Sequence, residues 1–98
     1  MDNTSAASIV ALAEVLDLKA ATTLAGDLLA ARGGDVALDG SAVQRLGAQC
    51  LQVIMSARST WDKEGASLQI INPSHDLIEG LELLGVDPSG YCAKEAHL

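Results

Sequence analysis

Apolar residues along this chain alternate between two spacings, one typical of strands and the other of helices. Short apolar runs predict strands in three regions: residues 8–16, 35–38 and 67–71. The first region is long enough for one or two short strands. Elsewhere apolar residues recur every three or four positions, the period of an amphipathic helix. This spacing predicts three helices, over residues 18–31, 47–63 and 75–84. A further short apolar patch, residues 43–46, leads into the middle helix.

Capping signals mark the ends of these helices. Asp17 and Ser74 directly precede the first and last helices, where their side-chain oxygens can accept hydrogen bonds from the first turn. Glycines follow all three helices, at 33–34, 65 and 85, as is common where a helix ends. In the first helix the predicted inward face has Leu24 at its flank and consists of Leu18, Ala21, Ala25, Leu28 and Leu29.

The middle helix has a well-defined core stripe. Four residues at offsets of four, three and four form it, with Val53 beside them: Cys50, Ile54, Ala57 and Trp61. A step of about 100° per residue places a polar set on the far side: Gln52, Ser56, Ser59 and Lys63. Leu51 and Met55 lie on a shoulder between the two faces. They either widen the core or form the apolar centre of a protein-binding face rimmed by Gln52, Arg58 and Ser59.

Strands joined by helices run parallel through right-handed crossovers and need helical cover. The predicted fold is therefore a small α/β sandwich, a mixed and mostly parallel sheet covered by about three helices. The two strands at the start can add an antiparallel edge. The single domain spans residues 8–87, between a flexible N-terminus (1–7) and a flexible tail (88–98).

Composition narrows the classes of partner. The chain has 98 residues and a formal net charge of -7, with only six Lys and Arg residues, so it repels nucleic acid and anionic membranes. The N-terminus lacks a secretion signal and no segment is long enough to span a bilayer, which predicts a cytoplasmic protein. Cys50 is predicted as a buried thiol, and Cys92 falls in the tail.

We find no arrangement of residues that predicts catalysis, a metal or a cofactor. The acidic pairs Asp35/Asp39 and Glu79/Glu82 lack the third and fourth ligands of a metal site. The string at 74–76, Ser-His-Asp, is a helix start, because a catalytic triad is defined by spatial roles. Asp39 is predicted to cap a turn. Residues 33–34 lack the spacing of a phosphate loop. The sequence thus favours a binding module over an enzyme.

Two segments, Leu38-Asp39-Gly40-Ser41-Ala42-Val43 and residues 46–55, together with the order of elements, resemble a STAS domain over residues 9–86. The resemblance implies an anti-sigma factor antagonist-like module. In regulated members a partner kinase phosphorylates a serine in an Asp-Ser-Ser-Gly-Leu sequence at the start of the middle helix. Here that sequence is replaced by Gly47-Ala48-Gln49-Cys50-Leu51, so Ala48 occupies the acceptor position and cannot be phosphorylated.

Residues 45–53, with Thr60-Trp61, also resemble a narrower group, the small CheS-like STAS proteins of alphaproteobacterial chemotaxis operons. This resemblance implies an adaptor that binds the histidine kinase CheA and modulates phosphate flow. Two alternatives remain: a constitutive antagonist of an anti-sigma kinase, and the STAS subunit of a lipid-transport ATPase. The sequence leaves the oligomeric state open. The predicted partner-binding residues are Gly47, Ala48, Gln49, Gln52, Met55 and Ser59.

Overall fold

The computed structural model describes residues 8–93. Its elements follow the predicted alternation of strands and helices, with one addition: a two-residue strand, Arg45–Leu46, lies in the apolar patch 43–46, which was not predicted to be a strand. In chain order they are β1 (Ser8–Ala11), β2 (Val15–Leu16), α1 (Leu18–Ala30), β3 (Val36–Asp39), β4 (Arg45–Leu46), α2 (Ala48–Lys63), β5 (Leu68–Ile71) and α3 (His75–Leu83), followed by a short 3-10 turn (Pro88–Gly90). The predicted small α/β architecture with three helices and a mostly parallel sheet is confirmed.

The main sheet has three parallel strands in the order β1-β3-β5. A separate ladder of two parallel strands joins β2 to β4. The expectation of an antiparallel edge from the first two strands is wrong: every strand pairing between residues 8 and 93 is parallel. The physical reason is that β2 leads directly into α1 and β4 leads directly into α2. The starts of these two helices are neighbours, so the two strands run in the same direction.

The core lies between the helices and one face of the sheet. Val36 and Leu38 of the central strand are buried, as predicted for 35–38, and their neighbours across the ladder are Leu68 and Ile70. The predicted α2 stripe is confirmed, since Cys50, Ile54, Ala57 and Trp61 are all buried. The predicted caps are confirmed as well. Asp17 accepts from the backbone N–H of Ala20 at 2.9 Å, and Ser74 accepts from that of Leu77 at 3.0 Å.

The buried face of α1 differs from the prediction. Leu24, which is predicted to lie at the flank, is buried with Ala21 and Leu28. By contrast, Leu18 and Leu29 are 67% and 70% exposed. Leucines occupy two neighbouring faces of this helix, so their spacing is compatible with either orientation. Packing against the sheet and α2 selects the face that contains Leu24.

The last described residues pair with the open edge of the sheet. The backbone N–H of Ile70 donates to the Tyr91 carbonyl and the Ile70 carbonyl accepts from Ala93, both at 2.8 Å. From the sequence, residues 88–98 are predicted to form a flexible tail. In the structure, residues within 88–93 form these hydrogen bonds with the sheet. The mobility of this segment stays a prediction. Residues 1–7 and 94–98 lie outside the described part of the chain.

Candidate protein-docking site

The start of α2 is fixed against the junction of β2 and α1. The backbone N–H of Gly47 donates to the Leu16 carbonyl at 2.8 Å, and the Cys50 thiol donates to the Asp17 carbonyl at 3.3 Å. A Cβ atom on Gly47 would lie 2.7 Å from the Leu16 carbonyl oxygen, so only glycine fits without a shift. The first turns of α1 and α2 are therefore neighbours at one end of the domain.

These two helix starts differ in how they are capped. The carboxylate of Asp17 caps α1, whereas Gly47 has no side chain to cap α2, and the first turn of α2 contains no acidic residue. Ala48 and Gln49 are exposed in that first turn. The first turn of α2 thus offers unpaired N–H groups and an alanine methyl to an approaching molecule. A hydroxyl, which an alanine lacks, would be needed to accept a phosphoryl group.

The outer surface of α2 brings together most of the predicted partner-binding residues. Gln52 and Ser59 are exposed at its centre, Gln49 lies toward α1, and Met55 on the opposite shoulder is 42% exposed. Leu51, the other shoulder residue, is 6% exposed and belongs to the core. The sequence left open whether this shoulder widens the core or forms part of a binding face. Leu51 widens the core, whereas Met55 is exposed and available to a partner.

Arg58 has a role that its place in the sequence does not reveal. Its guanidinium donates to the Gly90 carbonyl at 2.6 Å and lies 5.3 Å from the centre of the Tyr91 ring. It also forms an ion pair with Asp62 at 3.5 Å. Arg58 is thus engaged in holding the segment after α3 against α2, and is not a free member of the rim around Met55.

Burial and local hydrogen bonds account for the positions of the two cysteines and of the Ser-His-Asp string at 74–76. Cys50 is fully buried, as predicted, and burial raises the pKa of its thiol. Desolvation also raises the pKa of the Cys92 thiol. The Ser74 hydroxyl donates to the Val43 carbonyl at 2.6 Å, so its proton is committed to the backbone while it caps α3. The exposed His75 contacts Glu79 at 3.0 Å, one helical turn further on.

The turn after β3 also matches its prediction. The Asp39 carboxylate accepts from the backbone N–H of Ser41 at 3.0 Å, and this bond lowers the pKa of Asp39. Asp39 therefore caps a turn. Within residues 8–93, no group of three or more His, Cys, Asp or Glu side chains is placed to hold a metal ion. In that same stretch no helix is long and apolar enough to cross a membrane.

Two concave surfaces of the domain are not evident from the sequence. A groove of about 280 Å³ runs between α1 and α2 and is lined mainly by apolar side chains, including Leu29, Val53 and Trp61. A second cavity of about 310 Å³ lies between α1 and the β1–β2 connection. Both depend on which face of α1 is buried, which the leucine spacing does not determine.

Comparison with known families settles the class of the domain. The family model described as "Mlab, STAS domain" matches residues 1–88. The chain belongs to the STAS domain family. Members of this family are in general regulatory modules, similar to anti-sigma factor antagonists, that act through protein partners. A search of curated proteins finds no match to this STAS domain, and neither does a search of solved structures.

Proposed function

We propose that this STAS domain is a non-catalytic adaptor that binds a chemotaxis-type histidine kinase, CheA, and thereby modulates phosphate flow. The observation that carries the proposal is the Ala48 methyl at the position where regulated STAS domains have a phosphoacceptor serine. The adaptor therefore keeps the scaffold and the docking end of α2 while phosphoryl chemistry belongs to its partners. The resemblance of residues 45–53 and Thr60-Trp61 to CheS-like proteins supports the choice of kinase.

The proposed contact surface is the start of α2 and its outer side. It consists of Gly47, Ala48, Gln49, Gln52, Met55 and Ser59, none of which carries a charge. An exposed, adaptable methionine surrounded by amides and hydroxyls is typical of a protein interface with an apolar centre and a polar rim. Binding there would alter the kinase only if the adaptor has different affinities for two kinase conformations or covers a docking surface.

The direct test mixes the purified domain with purified CheA under conditions in which the kinase is active. We expect a complex by gel filtration at about 10–50 µM, in the micromolar affinity range, and a change in phosphotransfer to a response regulator. Met55→Glu and Gln52→Glu should weaken the complex without altering the fold. Leu83→Glu is the matched control, since Leu83 is 86% exposed on α3, away from this surface.

Three results would contradict the proposal. The first is the absence of both a complex and a change in phosphotransfer. The second is equal binding by the Met55 and Gln52 variants and the wild type, which would exclude this face. The third is a mass gain of one phosphate near the start of α2 after incubation with the kinase, because the proposal rests on the missing acceptor oxygen.

The same surface would serve the two alternative partners, and binding experiments separate them. Tight complex formation with an anti-sigma kinase, without transfer of radiolabel from ATP, would favour a constitutive antagonist. Co-purification with membrane ATPase components would favour a subunit of a lipid-transport ATPase. Affinity purification from the native cell followed by mass spectrometry compares all three partner classes in one experiment.

A further inference from the structure

Strand β1 forms one edge of the main sheet, and no residue between 8 and 93 pairs with its outer side. Ser8 and Leu12 donate their backbone N–H groups to carbonyls at the two ends of β3, at 3.0 and 2.9 Å. Neighbouring residues of a strand direct these groups to opposite sides, so those of Ile9 and Ala11 point away from the sheet. Backbone groups left free at this spacing are a template for another extended strand.

A groove follows the same edge, between β1 and α1. Near the start of β1, a concavity of about 410 Å³ is lined by residues 8–11 together with Asp27, Ala30 and Ala31 of α1. Near the end of β1 lies the cavity of about 310 Å³ between α1 and the β1–β2 connection. Ala11 and Asp27 line both, so the two adjoin at these residues, and we call them together the β1–α1 groove. A strand added to β1 would lie with the sheet on one side and α1 on the other.

Both faces of β1 suit apolar side chains on an added strand. On the side of the helices, Val10 is partly buried against the core, and the apolar lining of the adjoining cavity includes Leu12 and Leu24. Ile9 faces the opposite way, in register with Ala37 of β3, and is 68% exposed. Alternate side chains of an added strand would therefore enter the cavity and cover Ile9.

Charge in the groove favours a basic residue in its occupant. Asp27 is exposed where the two concavities adjoin, and it forms no ion pair with another residue between 8 and 93. The charged residues that line the groove are Asp27, Asp17 and Lys19, which leaves one negative charge in excess. In a chain of net charge -7, this excess attracts a segment that carries Lys or Arg and repels a second acidic copy.

We propose that the β1–α1 groove binds an extended segment of a partner protein, which adds to the main sheet as a fourth strand. Its backbone pairs with Ile9 and Ala11, an apolar side chain enters the cavity beside Leu24, and a Lys or Arg side chain pairs with Asp27. Strand addition of this kind gains affinity from main-chain hydrogen bonds and specificity from pockets for alternate side chains. The groove shares no residue with the kinase-binding surface on α2.

Hydrogen exchange of the full chain, followed by NMR at two protein concentrations, tests whether this edge is free. The amides of Ile9 and Ala11 should exchange at least about tenfold faster than that of Leu12, which is bonded to β3. Comparable protection of all three would overturn the proposal, because the edge is then already covered. Protection that depends on concentration would assign a second copy, and protection lost on deletion of residues 2–6 would assign the chain's own N-terminal segment.

Binding is tested with phage-displayed random heptapeptides selected on the full chain and then synthesised. We expect apolar residues at alternate positions, at least one Lys or Arg, and a dissociation constant of about 1–100 µM by calorimetry. N-methylation of the peptide supplies the matched control. A methyl group on an amide that faces β1 should raise the dissociation constant at least about tenfold, and one on the next amide should leave it unchanged.

Variants of α1 locate the bound peptide. Thr22 and Thr23 are adjacent and exposed, but Thr23 lines the cavity and Thr22 does not line the groove. Thr23→Trp should therefore raise the dissociation constant at least about tenfold, whereas Thr22→Trp should not change it. Asp27→Asn should raise it about threefold, and Glu82→Gln, which removes the same charge from α3, should have no effect. Circular dichroism verifies that the variants are folded, and Met55→Glu should bind the peptides normally.

Four binding results would overturn the proposal. They are no selected peptide that binds more tightly than about 100 µM, equal binding by Thr23→Trp and the wild type, peptides that tolerate methylation at every amide, and peptide binding lost in Met55→Glu. The last would assign the peptides to the α2 surface. Failure of the kinase proposal is separate, because it is measured with CheA and depends on Met55, which lies outside the groove.

Discussion

Truncating the single tryptophan tests how the far end of α2 is held. Trp61 is 3% exposed, and its indole N–H donates to the Gly34 carbonyl at 2.7 Å, in the turn that leads into the central strand. Replacing a buried aromatic residue by alanine costs about 3–5 kcal/mol through lost burial and the remaining cavity. A domain of this size has about 5–15 kcal/mol of stability in total, so Trp61→Ala should remove a substantial fraction of it.

A second substitution separates the ring from its hydrogen bond. Trp61→Phe keeps most of the buried ring and removes the donor, and should cost about 1–2 kcal/mol. Because Gly34 is exposed, water can replace the lost donor and keep this cost modest. Thus the alanine variant should be destabilised at least about 1.5 times as much as the phenylalanine variant.

Urea unfolding followed by far-ultraviolet circular dichroism measures both variants without relying on the tryptophan signal. Leu83→Ala serves as the control, because a side chain that is 86% exposed should change stability by no more than about 0.5 kcal/mol. A loss below about 1 kcal/mol in Trp61→Ala would refute the assignment of this ring to the core. Equal losses in the alanine and phenylalanine variants would refute the division between ring burial and hydrogen bond.

Three further predictions concern local contacts. Gly47→Ala should destabilise the domain by about 1–3 kcal/mol in urea unfolding, since its Cβ would lie 2.7 Å from a backbone carbonyl oxygen of β2; unchanged stability would contradict that contact. A hydrogen bond from the Arg32 guanidinium lowers the pKa of Glu64 in the folded state. The ionised carboxylate therefore stabilises the fold at any pH above the unfolded-state pKa of about 4. This stabilisation is lost as the pH falls through the folded-state pKa. The melting temperature should therefore fall less on acidification in Glu64→Gln, and parallel curves would contradict this. Arg58→Ala should speed amide exchange in residues 91–93, whereas Lys63→Ala should not; equal rates would show that Arg58 does not hold this segment.

Local interactions in the sequence determined the order of the main strands and the approximate bounds of the three helices, but not the two-residue strand β4. The caps at Asp17 and Ser74, and the α2 stripe through Cys50 and Trp61, are set by residues within a few positions of each other. The same is true of the turn capped by Asp39. Hydrophobic period and capping chemistry are short-range properties, so the sequence reveals them directly. It also shows that α2 begins with an alanine, Ala48, which has no hydroxyl, because that feature is a residue identity.

Contacts between residues distant in the chain decided the rest. Only the packing of α1 on the sheet and α2 buries Leu24 and exposes Leu29, which opens the groove, because leucines on neighbouring helix faces satisfy the same spacing. The parallel pairing of β2 with β4 joins residues about thirty positions apart. Arg58 reaches Gly90 across a similar separation. Such pairings depend on three-dimensional proximity, and neither hydrophobic period nor local propensity encodes which distant groups will meet.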